Sequence, residues 1–170
     1  MAKIPVFVSC PTKLNDTQKK YNEMIDRLLL HYGLERRALG VGRFYAVDFP
    51  LKEVYELAKQ CAGGIILGFE QLYLESGIKK RGTIEQADVQ SMVLPTPWND
   101  LEAGILYALG LPLLIIKEKG ISGGIFDEGT SDRFIHCFDS FKSENQLDAV
   151  FVRWNDKVIE KYMDRRIAQI

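Results

Sequence analysis

The sequence predicts a three-layer α/β sandwich around a mostly parallel five-stranded sheet, and three observations lead there. Apolar, partly β-branched runs at residues 4–9, 63–68 and 112–117 have the composition of strands covered on both faces. Segments with apolar side chains at three- and four-residue spacing alternate with those runs, as crossover helices do in a parallel sheet. The 170 residues, 46% hydrophobic and 26% charged, are enough for a single domain over 1–170 with a sizeable core.

The elements follow in order. Ile4-Pro5-Val6-Phe7-Val8-Ser9 reads as the first strand, ended by Cys10-Pro11. A helix is predicted from about Asp16 to Tyr32, because Tyr21, Met24, Ile25, Leu28 and Leu29 share a face and Gly33 stands where a helix stops. A weak strand is expected from Leu34 to Leu39, before a glycine pair, Gly40 and Gly42, read as a turn. Pro50 opens a second helix, with Val54, Ala58 and Cys61 on its apolar face. The central strand Gly63–Gly68 comes next. From Phe69 to Pro95 periodicity fails, and this stretch is expected to be a long loop or a concealed helix. Thr96-Pro97-Trp98-Asn99 starts a third helix ending at Gly110, and Pro112 to Lys117 is a further strand. A glycine-rich loop from Gly120 to Thr130 leads to a fifth strand at Arg133 to Phe138. Ser143 and Gln146 have capping-box spacing before a last helix whose stripe includes Leu147, Phe151, Trp154 and Val158. That stripe could seal the core or a homo-oligomer.

Composition narrows the function. A net charge of −1 argues against a domain built to hold nucleic-acid phosphate. No apolar run is long enough to cross a bilayer, and the first residues contain no secretory h-region. Three widely spaced cysteines fit reduced thiols, so a cytoplasmic location is expected. Metal-ligand spacings such as HExxH and CxxC are absent from the sequence, so no metal site is expected.

With five strands in the flavodoxin-like order 2-1-3-4-5, a ligand would bind outside the carboxyl ends of the first and third strands. Ser9, Cys10 and Thr12 then lie beside Phe69, and the start of the third helix delivers Trp98, Asn99 and Glu102 nearby. A carboxylate at Glu102 could stabilise positive charge on a sugar ring or attack its anomeric carbon. Trp98 could stack on a base and Asn99 could bond a ribose hydroxyl. Equally, Asn99 and Glu102 could form a capping box, with Trp98 in the core. Ser9, Cys10 and Thr12 could bind phosphate or only turn the chain. Cys10 has no obvious base in His31 or His136. Lys79-Lys80-Arg81-Gly82 could steer an anion or form a solvated face, and Gly120–Thr130 could be a lid or a connection.

Two resemblances bear on these residues. Val6-Phe7-Val8-Ser9 followed by a helix resembles the opening of a TIR domain. The segment from Asn99 to Pro112 is similar to nucleoside 2-deoxyribosyltransferases, which have a Glu-x-Gly-x-x-x-Ala helix before a strand that begins in proline. The resemblance implies that Glu102 acts on an N-glycosidic bond, with Ser9 and Phe69 near ribose and base. It implies a nucleotide-type small molecule as partner, NAD among the candidate substrates, no tightly bound cofactor, and a role in antiphage defence. A nucleotide sensor without catalysis and a TIR-like interaction module are the rival readings.

Overall fold

Alternation decides the layers. In a computed structural model that describes residues 3–39, 49–141 and 143–168, successive residues of each central strand enter opposite apolar clusters. Val6, Val8, Ile65 and Leu67 face one side, with Ile25 and Leu29 of the first helix and Phe151, Trp154 and Val158 of the last. Phe7, Ile66, Leu113 and Ile115 face the other, with Val54, Leu57 and Ala58 of the second helix and Ala103 and Leu106 of the third. Because both faces are covered, these strands are apolar throughout.

The elements are β1 (Ile4–Ser9), α1 (Asp16–His31), β2 (Leu34–Arg37), α2 (Pro50–Lys59), β3 (Gly63–Gly68), β4 (Leu72–Lys79), β5 (Ala87–Leu94), α3 (Pro97–Ala108), β6 (Leu113–Lys117), β7 (Ile135–Cys137) and α4 (Glu144–Ile167). The main sheet has the order β2-β1-β3-β6-β7, and every neighbouring pair is parallel. This is the predicted five-stranded α/β sandwich with the predicted strand order. Among the described residues, no helix is long and apolar enough to cross a membrane.

Two expectations need correction. Residues 69–95 are neither a loop nor a hidden helix: β4 and β5 form an antiparallel hairpin, in register from Leu72↔Leu94 to Lys79↔Ala87. Most of its side chains are exposed, so no burial periodicity marks it. The capping box expected at Ser143 is not made, because the Ser143 side chain forms no capping hydrogen bond. A capping box stands instead at Asn15, whose side chain accepts from Gln18 N at 2.9 Å while the Gln18 amide oxygen accepts from Asn15 N at 3.1 Å. The glycine pair Gly40 and Gly42 lies outside the described residues.

Close packing fixes the carboxyl end of β3. A Cβ on Gly68 would stand 2.5 Å from a Phe126 ring carbon, so a glycine is required for this strand to lie against the loop after β6. Lys117 ties the same loop down by donating to the carbonyls of Ile121 (2.7 Å) and Phe126 (2.9 Å). Ile125 N donates to the Asp100 carboxylate at 2.9 Å, which docks the loop on the first turn of α3. These bonds hold residues 121–126 against the end of β6 and the first turn of α3.

Candidate functional site

The order of the sheet reverses at β1 and β3, and a crevice opens beyond their carboxyl ends. A cavity of about 320 Å³ lies there, walled by Ser9, Cys10, Pro11 and Thr12 from the end of β1 and by Thr96, just before α3, with Trp98 and Glu102 of α3, and with Leu39 and Gln71 closing it. Pro97 at the first turn of α3 and the Thr96 hydroxyl, which accepts from Trp98 N at 3.3 Å, set where this helix begins. Thr96 is therefore the N-cap, and the alternative in which Asn99 and Glu102 cap the helix is excluded. Trp98 is 40% exposed at the cavity wall and is not a core residue.

Behind the wall a buried amide meets the Ser9 hydroxyl. Asn99 is fully buried and donates through Nδ2 to Ser9 Oγ at 2.7 Å and to the Leu67 carbonyl at 3.4 Å. The Ser9 hydroxyl also acts on the Glu102 carboxyl and favours its ionised form. Ser9 lines the cavity, as expected of a ligand-binding hydroxyl, whereas Asn99 is fully buried behind it and does not line the cavity where a ribose would lie.

Burial pushes the Glu102 carboxyl up to about 7, and the Ser9 hydrogen bond, which favours the ionised form, opposes that rise. Near neutral pH this group therefore exchanges a proton and can serve either as carboxylate or as acid. Burial likewise drives the Cys10 thiol up to about 11, partly offset by the nearby Arg36 charge. Its Sγ donates weakly to the Pro11 carbonyl (3.5 Å) and to Asn22 Oδ1 (3.6 Å). A thiol so protonated is a poor nucleophile.

Phe69 is not at the site. It is 0% exposed and stacks on Phe138 with ring centroids 5.6 Å apart, so neither a base nor a sugar can reach it. Thr12 does line the cavity. Lys79, Lys80 and Arg81 sit at the far end of the hairpin, and Lys80 pairs with Glu85. An eight-residue strand, about 26 Å, separates them from Gln71 at the cavity, which fits a solvated turn.

Gln71 and Thr96 were missed as cavity residues: Gln71 stands in no recognisable motif, and Thr96 was read only as the start of the third helix. The support under Gln71 was also missed, though part of it was legible. Glu118 accepts from Gln18 Nε2 at 2.9 Å and from Glu70 N at 2.6 Å, and Gln18 Nε2 also donates to the Glu70 carbonyl at 3.2 Å. The capping-box spacing Asn15–Gln18 would have flagged this glutamine as an ordered side chain.

No family model matches the chain, and no curated protein is similar to it. Among solved structures, one that it resembles is the CMP N-glycosidase BcmB of Clostridium botulinum. The TM-score is 0.48 at 14% sequence identity, over 85% of this chain and 95% of that one.

Proposed function

We propose that the protein cleaves, or transfers across, the N-glycosidic bond of a nucleoside or nucleotide, with Glu102 as the acting carboxylate. The observation that carries this reading is the placement of Glu102. It stands in the wall of a cavity at the strand-order reversal, desolvated enough to lie near 7, with the Ser9 hydroxyl favouring its ionised form. The similarity of the Glu102 segment to deoxyribosyltransferase helices supplies the substrate class.

The chemistry follows from that placement. As the bond from sugar carbon to base nitrogen breaks, its electron pair leaves with the base and positive charge spreads over the sugar ring. An ionised Glu102 stabilises that charge, and the low-dielectric wall makes the attraction stronger than it would be in water. The same oxygen can bond to the anomeric carbon and hold the glycosyl group until water or a second acceptor displaces it. The exposed Trp98 ring offers a face for the base, while the Thr12 and Thr96 side chains and the Gln71 amide supply polar contacts. NAD and ordinary nucleotides are candidate substrates, and a part in antiphage defence belongs to the same proposal.

The test incubates the protein with nucleosides, nucleotides, their deoxy forms and NAD, and follows released base by chromatography. Base release is expected from at least one compound, with a loss of about a thousandfold in Glu102→Gln that circular dichroism shows to be folded. Equal release by parent and variant would overturn the assignment of Glu102. Binding without release from any compound would replace the enzyme with a nucleotide sensor.

A further inference from the structure

The last helix carries two cations that neither the core nor the Glu102 cavity uses. Val150, Arg153, Trp154 and Lys157 recur at three- and four-residue spacing, so they share one side of α4. That side faces the amino end of β7, and a second cavity, of about 220 Å³, opens between the two elements. Buried Leu114 and Trp154 give it an apolar floor, with Val150 beside them. The Trp154 indole is fixed there by donating to the Pro112 carbonyl at 2.9 Å. Around the floor stand Arg133, His136, Arg153 and Lys157. Because Leu113 and Leu114 begin β6, this cavity lies toward the end of the sheet away from Glu102.

Charge singles this cavity out in a chain whose net charge is −1. Arg153 and Lys157 stand one helical turn apart and repel each other. Among the described residues, neither forms an ion pair. Asp132 is the one carboxylate in the wall among the described residues, and Arg133 takes it. That pairing is incomplete. Arg133 Nε lies 3.2 Å from Asp132 Oδ1, yet it is buried and makes no hydrogen bond. Burial holds the His136 imidazole below its ordinary value, so near neutral pH it adds no charge and has one N–H to give. Three cations against one carboxylate leave an excess of positive charge around a concave space, whose apolar walls concentrate the field.

We propose that the cavity between β7 and α4 binds a small phosphate monoester, at a site separate from the one that holds Glu102. Each property of the wall selects a part of that ligand. A phosphate monoester carries about −1.5 to −2 charges at neutral pH, which matches the excess of the wall. A carboxylate or a nucleic-acid phosphodiester brings one charge per group and leaves the excess unbalanced. The guanidinium groups of Arg133 and Arg153 can each take two phosphate oxygens, and the Arg133 N–H that lacks an acceptor gains one. The apolar floor calls for carbon on the ligand, which inorganic phosphate does not have. The volume is below the roughly 300–1,000 Å³ of sites that enclose drug-sized molecules, so the ester's body is about the size of one sugar ring.

The chain's two tryptophans stand one at each cavity, so fluorescence tells the sites apart. In Trp98→Phe the tryptophan emission comes from Trp154 alone. Titration of that protein with ribose 5-phosphate should give a saturable change, matched by calorimetry, with a Kd of about 1 mM or below. Ribose should give none, and inorganic phosphate should bind about tenfold more weakly because it leaves the floor bare. Arg153→Gln and Lys157→Gln, both at exposed positions, should each weaken the ester about tenfold with an unchanged circular dichroism spectrum. Adding Glu102→Gln should leave the Kd where it was, so this site and the assignment of Glu102 stand or fall separately. Neither emission change nor heat up to about 10 mM ester would overturn the proposal, as would a Kd that neither α4 substitution moves. A Kd that follows Glu102 would put the ester in the other cavity and overturn it too. Inorganic phosphate binding as tightly as ribose 5-phosphate would overturn the choice of an ester.

Discussion

Glu102 is subject to two opposed influences. Desolvation raises its carboxyl and the Ser9 hydroxyl lowers it, leaving it near 7. If the ionised form acts on the sugar, kcat/KM must climb with pH through about 7, as the fraction of carboxylate grows. Ser9→Ala removes the influence that lowers the value, so the rise should move to higher pH. At pH 6 turnover should fall about tenfold, while at pH 9 it should approach that of the parent. A pH profile of base release checks both shifts, and a profile that fell through pH 7 would make Glu102 the acid instead. Cys10 sits on the same wall with its thiol pushed up to about 11. Cys10→Ala should keep turnover within about threefold, and iodoacetamide should label the parent Cys10 slowly at pH 8, read by mass spectrometry.

At the scale of elements, packing at the carboxyl end of β3 dictates residue size. Gly68→Ala would press a methyl group against the Phe126 ring and Lys117 Cβ, which lie 2.5 and 3.0 Å from the ideal Cβ. We expect a loss of about 1–3 kcal/mol by urea unfolding, since an overpacked site must shift its neighbours. The hairpin behaves oppositely. Its ends meet at the Leu72↔Leu94 pair, and Val93 is its one contribution to the core clusters. Replacing residues 73–93 by a short glycine turn should leave the five-stranded body folded, with far-UV circular dichroism and cooperative unfolding retained. The hairpin was illegible in the sequence for the same reason that it is dispensable to the core. Strands are recognised by one buried face, and here the alternation of Leu72, Leu74 and Ile78 is broken by Ser76 and set among exposed polar residues.

For the whole molecule, the raised carboxyl of Glu102 is a stability statement. Below its ordinary value of 4.5 the group is protonated in folded and unfolded chains alike and contributes nothing. Between 4.5 and about 7 the unfolded chain ionises while the folded chain holds its proton, so stability falls as pH rises. Above 7 the full cost, about 3 kcal/mol, is present. Glu102→Gln removes that cost. Its gain in Tm over the parent should therefore be small at pH 4 and largest at pH 8, measured by scanning calorimetry. An enzyme that holds a desolvated carboxylate for its chemistry shows this opposition of stability and activity.

The sequence by itself determined the frame: a parallel α/β sandwich with its strand order, the four main helices, and a crevice beyond β1 and β3 that receives Glu102. It could do so because burial imposes periods of two and 3.6 on the residues that meet the core, and those periods are local. Only the tertiary structure decided which of the candidate residues face the crevice. Phe69 and Trp98 are both aromatic residues beside strand or helix ends, yet one is sealed against Phe138 and the other is open. Asn99 and Ser9, ninety positions apart, join in one hydrogen bond that exists only once β1 and α3 are packed together. The Glu102 value depends on water excluded by neighbours from distant segments, and no spacing along the chain encodes that exclusion.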